Sequence, residues 1–157
     1  MSKPIYQVYD SAVLDAPIEE VWGVLRDIMK LLPVLFGKAL QGHQWVDGGS
    51  AERIPSRFQL AVQPSGETAL HEVVARSEID HSLTYRNIGG AMGLERYVST
   101  FRLRPVTSEP GKTFIEWPRE FGVAAGQDAT KLVPFIAAVS AKEVATLKEH
   151  FSRRSSR

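Results

Sequence analysis

The C-terminal segment, residues 128–154, constrains the fold of this chain more than any other part of its sequence. Its large apolar residues recur at intervals of three to five positions, which is the spacing of one buried stripe on a helix. They are Leu132, Ile136, Val139, Val144, Leu147 and Phe151. A helix over this segment would be roughly 35 Å long. Asp128 suits its N-terminus, and Pro134 is expected to kink it or to mark its true start.

The same helix carries small residues between the large ones, so its middle is thin where a packed core would usually need bulk. These residues are Ala137, Ala138, Ser140, Ala141 and Ala145. A thin helix laid on a curved sheet could leave a cavity.

The rest of the chain is mostly of β character. Residues 5–14 form a loose alternation typical of a first strand. Asp15 and Pro17 then predict the N-cap and first turn of a short helix, and Asp27 predicts the cap of a second. Six further strands, separated by turn residues, are expected at 39–45, 51–60, 69–78, 82–88, 95–105 and 112–121. Strands joined by such short turns form an antiparallel meander.

Length and composition exclude several classes of protein. A chain of 157 residues fits one domain, expected over residues 1–152, with 153–157 as a disordered tail. A net charge of +1 argues against nucleic-acid binding, and the absence of cysteine excludes disulfides and thiolate metal sites. The chain shows neither a signal peptide nor an apolar run long enough to span a membrane, so a cytoplasmic monomer or homodimer without membrane insertion is expected.

The order of strand, two short helices, six strands and long helix resembles the helix-grip or START-like superfamily. This superfamily includes polyketide cyclase/dehydrases, lipid-transfer domains, birch-pollen-allergen proteins and plant abscisic-acid receptors. The phrases that carry the resemblance span residues 16–22, 49–53, 85–90, 97–101 and 113–117. The resemblance implies an α+β fold, in which a curved seven-stranded antiparallel sheet grips the C-terminal helix and leaves a ligand cavity between them.

Strand alternation selects candidate ligand contacts. On 95–105, arginines occupy one face, so Tyr97 and Ser99 are expected inside, where they resemble pocket residues of the plant receptors. On 112–121, Glu116 resembles a pocket glutamate, and its neighbour Trp117 is then expected to face outward or toward the flanking helices, unless a bulge at Pro118 changes the register. The alternatives are a core tyrosine, a satisfied serine and a glutamate paired with an arginine at the sheet edge.

Other candidates lie on the remaining strands and on the helix. His43 and His71 could transfer a proton inside an apolar cavity, although structural or surface roles are commoner for histidine. Gln41 occupies the position of a ligand-binding lysine in the plant receptors, which argues against abscisic-acid binding and against Schiff-base chemistry. Tyr85 and Ser140 complete the predicted ligand contacts.

The sequence therefore predicts binding of a small hydrophobic or amphipathic molecule, with no cofactor. No His/Asp/Glu set has metal-ligand spacing, so no metal site is predicted. One alternative is a polyketide cyclase/dehydrase that uses Glu116, His43, His71 or Tyr97 as proton-transfer groups. Another is an interaction or chaperone module with a vestigial cavity. A Ser-Gly pair in the 63–68 turn also resembles the receptors' gating loop.

Overall fold

A computed structural model describes residues 3–90 and 93–155 of the chain. In this part of the chain, seven strands and three α-helices follow one another in the predicted order. The strands are β1 (Tyr6–Leu14), β2 (Leu40–Val46), β3 (Ser56–Val62), β4 (Thr68–Ser77), β5 (Ser82–Gly90), β6 (Leu94–Pro105) and β7 (Thr113–Val123). The helices are α1 (Ile18–Leu25), α2 (Ile28–Phe36) and α3 (Ala129–Ser155), and a 3-10 turn at Gly37–Ala39 follows α2.

The strands form one antiparallel sheet with the order β1-β7-β6-β5-β4-β3-β2. Strands β2 to β7 are a meander, and α1 and α2 carry the chain from β1 at one edge to β2 at the other. Bulges interrupt the β4–β5 pairing twice and the β6–β7 pairing between Glu95 and Val98. Because a bulge bends its strand and increases the local twist, these irregularities help to curve the sheet. The predicted helix-grip fold is confirmed.

Strand β3 begins five residues later than predicted. Residues 51–55 form turns and bends instead, and Pro55 immediately precedes Ser56, the first residue of the strand. Proline has no N–H to donate to a strand ladder, so it marks the end of the turn rather than a position inside the strand.

The two short helices begin differently. Asp27 caps α2 as predicted, since its carboxylate accepts the Met29 backbone N–H at 3.0 Å. The predicted cap at Asp15 is wrong, because Pro17 holds the N-cap position of α1 and makes no side-chain capping bond. Glu19 and Glu20 still lie in the first turn of α1, where negative charge is stabilised by the helix dipole.

Helix α3 begins at Ala129, with Asp128 accepting the Thr130 backbone N–H at 3.0 Å. Pro134 therefore lies inside the helix and does not mark its start. The helix reaches Ser155, so residues 153–155 of the predicted tail are helical, while 156 and 157 lie outside the described residues. None of the described helices is both long enough and apolar enough to cross a membrane.

The core consists of two clusters. The larger lies where α1, α2 and the C-terminal half of α3 pack on the sheet, around Phe101, Trp117, Leu147 and Phe151. The smaller is built from Val8, Tyr97, Phe121 and Ile136, near the start of α3. Tyr85 packs against both clusters. Between them, the interior of the sheet is left partly open.

Candidate functional site

A cavity of about 760 Å³ lies between the inner face of the sheet, α2 and α3. Pockets that hold drug-sized molecules have about 300–1,000 Å³, so this cavity has the size of a ligand site. Most of its wall is apolar. The apolar lining residues are Ile28, Leu31, Leu32, Leu35, Phe36, Ala39, Phe58, Leu60, Val62, Pro64, Ala69, Phe135, Ile136 and Val139.

Exposed residues of the β3–β4 turn and of α3 line the cavity and therefore form part of its mouth. Gln63, Pro64, Ser65 and Glu67 belong to the turn. Phe135 of α3 also lines the cavity and keeps 61% of its surface exposed. A large apolar side chain at a cavity mouth can contact an apolar molecule that enters.

A buried ion pair lies in the polar part of the wall. Arg119 on β7 is 3% exposed, and its Nη1 donates to Glu143 Oε1 of α3 at 2.7 Å. The same nitrogen lies 3.4 Å from the Tyr97 hydroxyl, and the guanidinium sits 4.0 Å from the ring centroid of Trp117. Burial is the largest single influence and would lower the pKa of Arg119, but the charge of Glu143, the nearby Tyr97 and Tyr85 hydroxyls and the hydrogen bond to Glu143 together outweigh it. The pKa is therefore raised, and Arg119 stays protonated.

Several buried polar atoms around the cavity have no hydrogen-bond partner among the described residues. Arg119 leaves Nε and Nη2 without acceptors, and Ser140 Oγ and His71 Nδ1 are unpartnered as well. All three residues line the cavity. An unsatisfied buried donor or acceptor costs about 1–3 kcal/mol, so oxygen or nitrogen atoms of a bound molecule would stabilise this wall.

His71 and Tyr85 form an aromatic part of the wall. The imidazole stacks on Phe58 with ring centroids 5.3 Å apart and meets Tyr85 edge-on at 5.7 Å. Burial lowers the pKa of His71 to about 4, against a smaller opposite effect of a hydrogen bond with the Arg86 backbone. Burial likewise raises the pKa of Tyr85 well above its usual value, with Tyr97 adding to the effect. At neutral pH both side chains are uncharged.

Four of the eight predicted ligand contacts line this cavity, namely His71, Tyr85, Tyr97 and Ser140. The predicted inward face of β6 is confirmed, since Tyr97, Ser99, Phe101 and Leu103 are all buried. Ser99 pairs with Tyr85 in the sheet register, does not itself line the cavity, and accepts the Trp117 Nε1–H at 2.6 Å. It therefore helps to hold the Trp117 ring, on which the Arg119 guanidinium of the cavity wall lies.

The predicted orientation of β7 is wrong. Glu116 lies on the outer face of the sheet, where Arg102 contacts it at 3.3 Å and the Tyr9 hydroxyl donates to it at 2.9 Å. Trp117 does not face outward but is fully buried, in the core cluster that also contains residues of α1 and α2. The inner face of β7 carries Ile115, Trp117 and Phe121, which bury far more apolar surface than the face with Glu116.

The two predicted contacts on β2 lie away from the cavity. His43 lines a separate surface depression of about 150 Å³, together with residues of β3 and Thr68. Gln41 is exposed and lies against the β3–β4 turn, where a Cβ at Gly66 would come within 2.9 Å of its Oε1. β2 is an edge strand, and a bulge interrupts its pairing with β3 at Leu40/Gly42.

The small residues of α3 do not create the cavity, contrary to the prediction. Ala138, Ala141 and Ala145 are exposed on the outer side of the helix. The α3 residues that do line the cavity are Phe135, Ile136, Val139, Ser140, Lys142, Glu143 and Thr146. Of the five small residues, only Ser140 contributes to the wall.

Arg119 and Glu143 are the site residues that the sequence reasoning missed. A signal for Glu143 was present, since it lies three residues after Ser140 and four before Leu147, within the buried stripe of α3. The position of Arg119, two residues after Trp117 and two before Phe121, places it on the same apolar face of β7.

The arrangement combines apolar walls with hydrogen-bonding groups and an uncharged imidazole. It could bury an apolar body and orient it by its polar atoms. In residues 3–90 and 93–155, no group of three or more His, Asp or Glu side chains is placed to hold a metal ion.

Comparison with known proteins agrees with this architecture. The family model described as polyketide cyclase / dehydrase and lipid transport matches residues 6–152. A search of curated proteins found no match.

Solved structures with the same fold cover nearly all of the chain. A protein from Nitrosospira multiformis is 27% identical with a TM-score of 0.76, and the match covers 97% of this chain and 100% of that one. The Zhui aromatase/cyclase from Streptomyces sp. R1128 is 16% identical with a TM-score of 0.79, covering 97% and 96%. Norcoclaurine synthase from Thalictrum flavum is 13% identical with a TM-score of 0.71, covering 95% and 94%. At such identities the last two show the fold alone. With its helix-grip fold and a family match over residues 6–152, the chain belongs to the polyketide cyclase/dehydrase and lipid transport family.

Proposed function

We propose that this protein binds a small hydrophobic or amphipathic molecule in the cavity between the sheet, α2 and α3. The observation that carries the proposal is an open cavity of about 760 Å³ with mostly apolar walls and a few buried polar groups. Burial of apolar ligand surface supplies affinity, at about 25 cal/mol per Å², and the polar groups set orientation.

The cavity also bears on the alternative of an interaction module with a vestigial cavity. Phe58 and Phe101 are buried in the core, and Trp45 packs against it, yet these large side chains leave the cavity open. Phe135 stays largely exposed at the mouth instead of filling the interior. Ligand binding requires an open cavity, whereas an interaction module with a vestigial cavity does not.

A fluorescent probe tests the proposal directly. N-phenyl-1-naphthylamine is uncharged and gains fluorescence in apolar surroundings, so its titration should give saturable binding. Replacing Leu35 and Val139 with tryptophan together would add bulk from both α2 and α3, because both residues line the cavity. We expect probe affinity to fall at least about tenfold, a change of about 1.4 kcal/mol.

A matched control places the same bulk on the outer side of α3. Ala138→Trp/Ala141→Trp changes two exposed residues and should leave probe binding unchanged. Equal affinities for the cavity variant and the wild-type protein, with both folded by circular dichroism, would show that the probe binds elsewhere. Native mass spectrometry of the purified protein would then identify any molecule that co-purifies.

A second candidate function is cyclisation and dehydration of a polyketide-like substrate, and His71 is the observation that favours it. Its imidazole is uncharged and lines the cavity, and its Nδ1, which has no partner in the described part of the chain, could accept a proton. Tyr85 and Tyr97 line the same cavity and could donate one. An aldol cyclisation needs a base that removes a proton from carbon and an acid that assists loss of water.

The enzyme hypothesis has its own assay. A short linear poly-β-ketone thioester would be incubated with the protein, and formation of an aromatic product followed by absorbance. His71→Gln should abolish any acceleration while the variant stays folded by circular dichroism. Acceleration that survives in this variant would exclude His71 as the base.

A further inference from the structure

The guanidinium of Arg119 is only partly used by the protein. Nη1 makes the contacts with Glu143 and with the Tyr97 hydroxyl, at 2.7 and 3.4 Å. Nε and Nη2 are buried and lack an acceptor among the described residues. These two N–H groups lie side by side on one edge of the planar guanidinium, and such an edge is suited to donate hydrogen bonds to the oxygen atoms of one chemical group.

A further polar group in the cavity wall is also unsatisfied. Ser140 is fully buried, and its Oγ has no partner within residues 3–90 and 93–155. It precedes Glu143 by three residues on the same face of α3. Arg119 and Ser140 can both donate hydrogen bonds. These unsatisfied groups of the wall need acceptors, so a bound molecule would have to supply oxygen atoms that accept their hydrogen bonds.

The charge of the wall decides which kind of oxygen fits. Among the described lining residues, the charged side chains are Arg119 and Lys142, which are positive, and Glu67 and Glu143, which are negative. Glu67 and Lys142 are exposed, so the buried charges are those of Arg119 and Glu143, which neutralise each other. A carboxylate would add a buried negative charge without its own cation, which is costly, whereas a carbonyl oxygen accepts the same hydrogen bonds without net charge.

We infer that the Arg119–Glu143 pair makes this cavity selective for ligands with an uncharged carbonyl oxygen and excludes their carboxylate analogues. Glu143 is then a specificity-determining residue, because it neutralises the cation that would otherwise attract an anion. The inference rests on the proposed binding function and deepens it by naming the chemical class of the ligand.

Three probes with one ring system test the inference. 2-Acetylnaphthalene carries a carbonyl, 2-naphthoate a carboxylate, and 2-ethylnaphthalene no oxygen. Each would compete with N-phenyl-1-naphthylamine for the wild-type protein at neutral pH. We expect 2-acetylnaphthalene to bind about tenfold more tightly than either of the others, as one charge-assisted hydrogen bond allows. Equal or tighter binding of 2-naphthoate would overturn the inference.

Two variants assign the selectivity to the ion pair. Glu143→Gln leaves the charge of Arg119 without its counterion, so 2-naphthoate should gain about tenfold and bind about as tightly as 2-acetylnaphthalene. Arg119→Met/Glu143→Gln removes both charges, so this variant should fold even where Glu143→Gln alone does not. It should remove the discrimination between the ketone and the hydrocarbon. Unchanged preferences in the folded double variant would contradict the inference.

A matched control uses the ion pair on the outer face of the same sheet. Arg102→Met/Glu116→Gln makes the same substitutions at a pair 3.3 Å apart that does not line the cavity, and all three affinities should stay as in the wild type. Failure of the reporter and all three probes to bind would refute the proposed function itself. Binding of the reporter without discrimination among the three would refute only the inference about ligand class.

Discussion

The stability of the Arg119–Glu143 pair can be tested without any ligand. Arg119→Met would leave the Glu143 carboxylate, which is 8% exposed, without its cation. At the observed 2.7 Å and an effective dielectric constant of ~20, the two charges attract by ~6 kcal/mol, against a desolvation penalty of several kcal/mol per ion. The single change loses this attraction while the remaining charge stays buried. We therefore expect it to destabilise the fold by about 3–5 kcal/mol.

Removal of both charges should cost much less than removal of one. In Arg119→Met/Glu143→Gln neither desolvated charge remains, and methionine can still pack on the Trp117 ring that the guanidinium now covers at 4.0 Å. The double variant should lie within about 1 kcal/mol of the wild type, because buried pairs can often be replaced by uncharged residues at little cost.

Urea denaturation of the wild type, both single variants and the double variant gives the coupling free energy. For a chain of this size, the loss in Arg119→Met corresponds to a melting temperature lower by roughly 10 °C. Arg102→Met provides the exposed comparison, since its pair with Glu116 should contribute at most about 1 kcal/mol. If the effects of the two interior single variants simply add in the double variant, the two groups do not interact as a buried ion pair.

Three further predictions concern residues in and next to the cavity wall. Because the pKa of His71 is about 4 in the folded protein and about 6.5 in the unfolded chain, the unfolded state binds more protons between these values. Stability should therefore fall by about 3 kcal/mol as pH decreases through this window, and urea midpoints of His71→Gln should show a weaker decrease. Ser99→Ala leaves the Trp117 Nε1–H without its acceptor at 2.6 Å and should cost about 1–3 kcal/mol in urea denaturation, whereas an unchanged midpoint would mean that another acceptor replaces it. Phe135→Ser changes a side chain that is 61% exposed, so its urea midpoint should stay near that of the wild type while affinity for N-phenyl-1-naphthylamine decreases. Undiminished probe affinity would show that Phe135 does not contact the bound molecule.

The fold was accessible from the sequence because each element carries its own periodicity. On β6, arginines alternate with Tyr97 and Phe101, so the inward face is unambiguous. On β7, each face carries both a charged and an aromatic residue, with Glu116 and Phe114 on one and Arg119 and Trp117 on the other. Strand alternation identifies these two sets, but does not by itself say which set is buried.

The interior of the site depends on contacts between residues far apart in the chain. A buried arginine on β7 is stable only because Glu143 meets it from α3, and neither segment alone indicates the other. The positions of Gln41 and His43 depend in turn on the edge location and the bulge of β2, which a local pattern does not reveal. Hence His71, Tyr85, Tyr97 and Ser140 could be selected from sequence, while the charged pair required the tertiary structure.

The division of the core into two clusters has a consequence for how the protein unfolds. The cluster around Val8, Tyr97, Phe121 and Ile136 is the smaller, and Tyr85 packs against it and against the larger cluster on the other side of the cavity. Since few side chains join the two halves, we expect the beginning of α3 and the adjoining strand ends to open locally before the rest, which hydrogen exchange would detect. A molecule in the cavity would contact both halves, and its binding should raise the protection of these amides and make unfolding a single cooperative event.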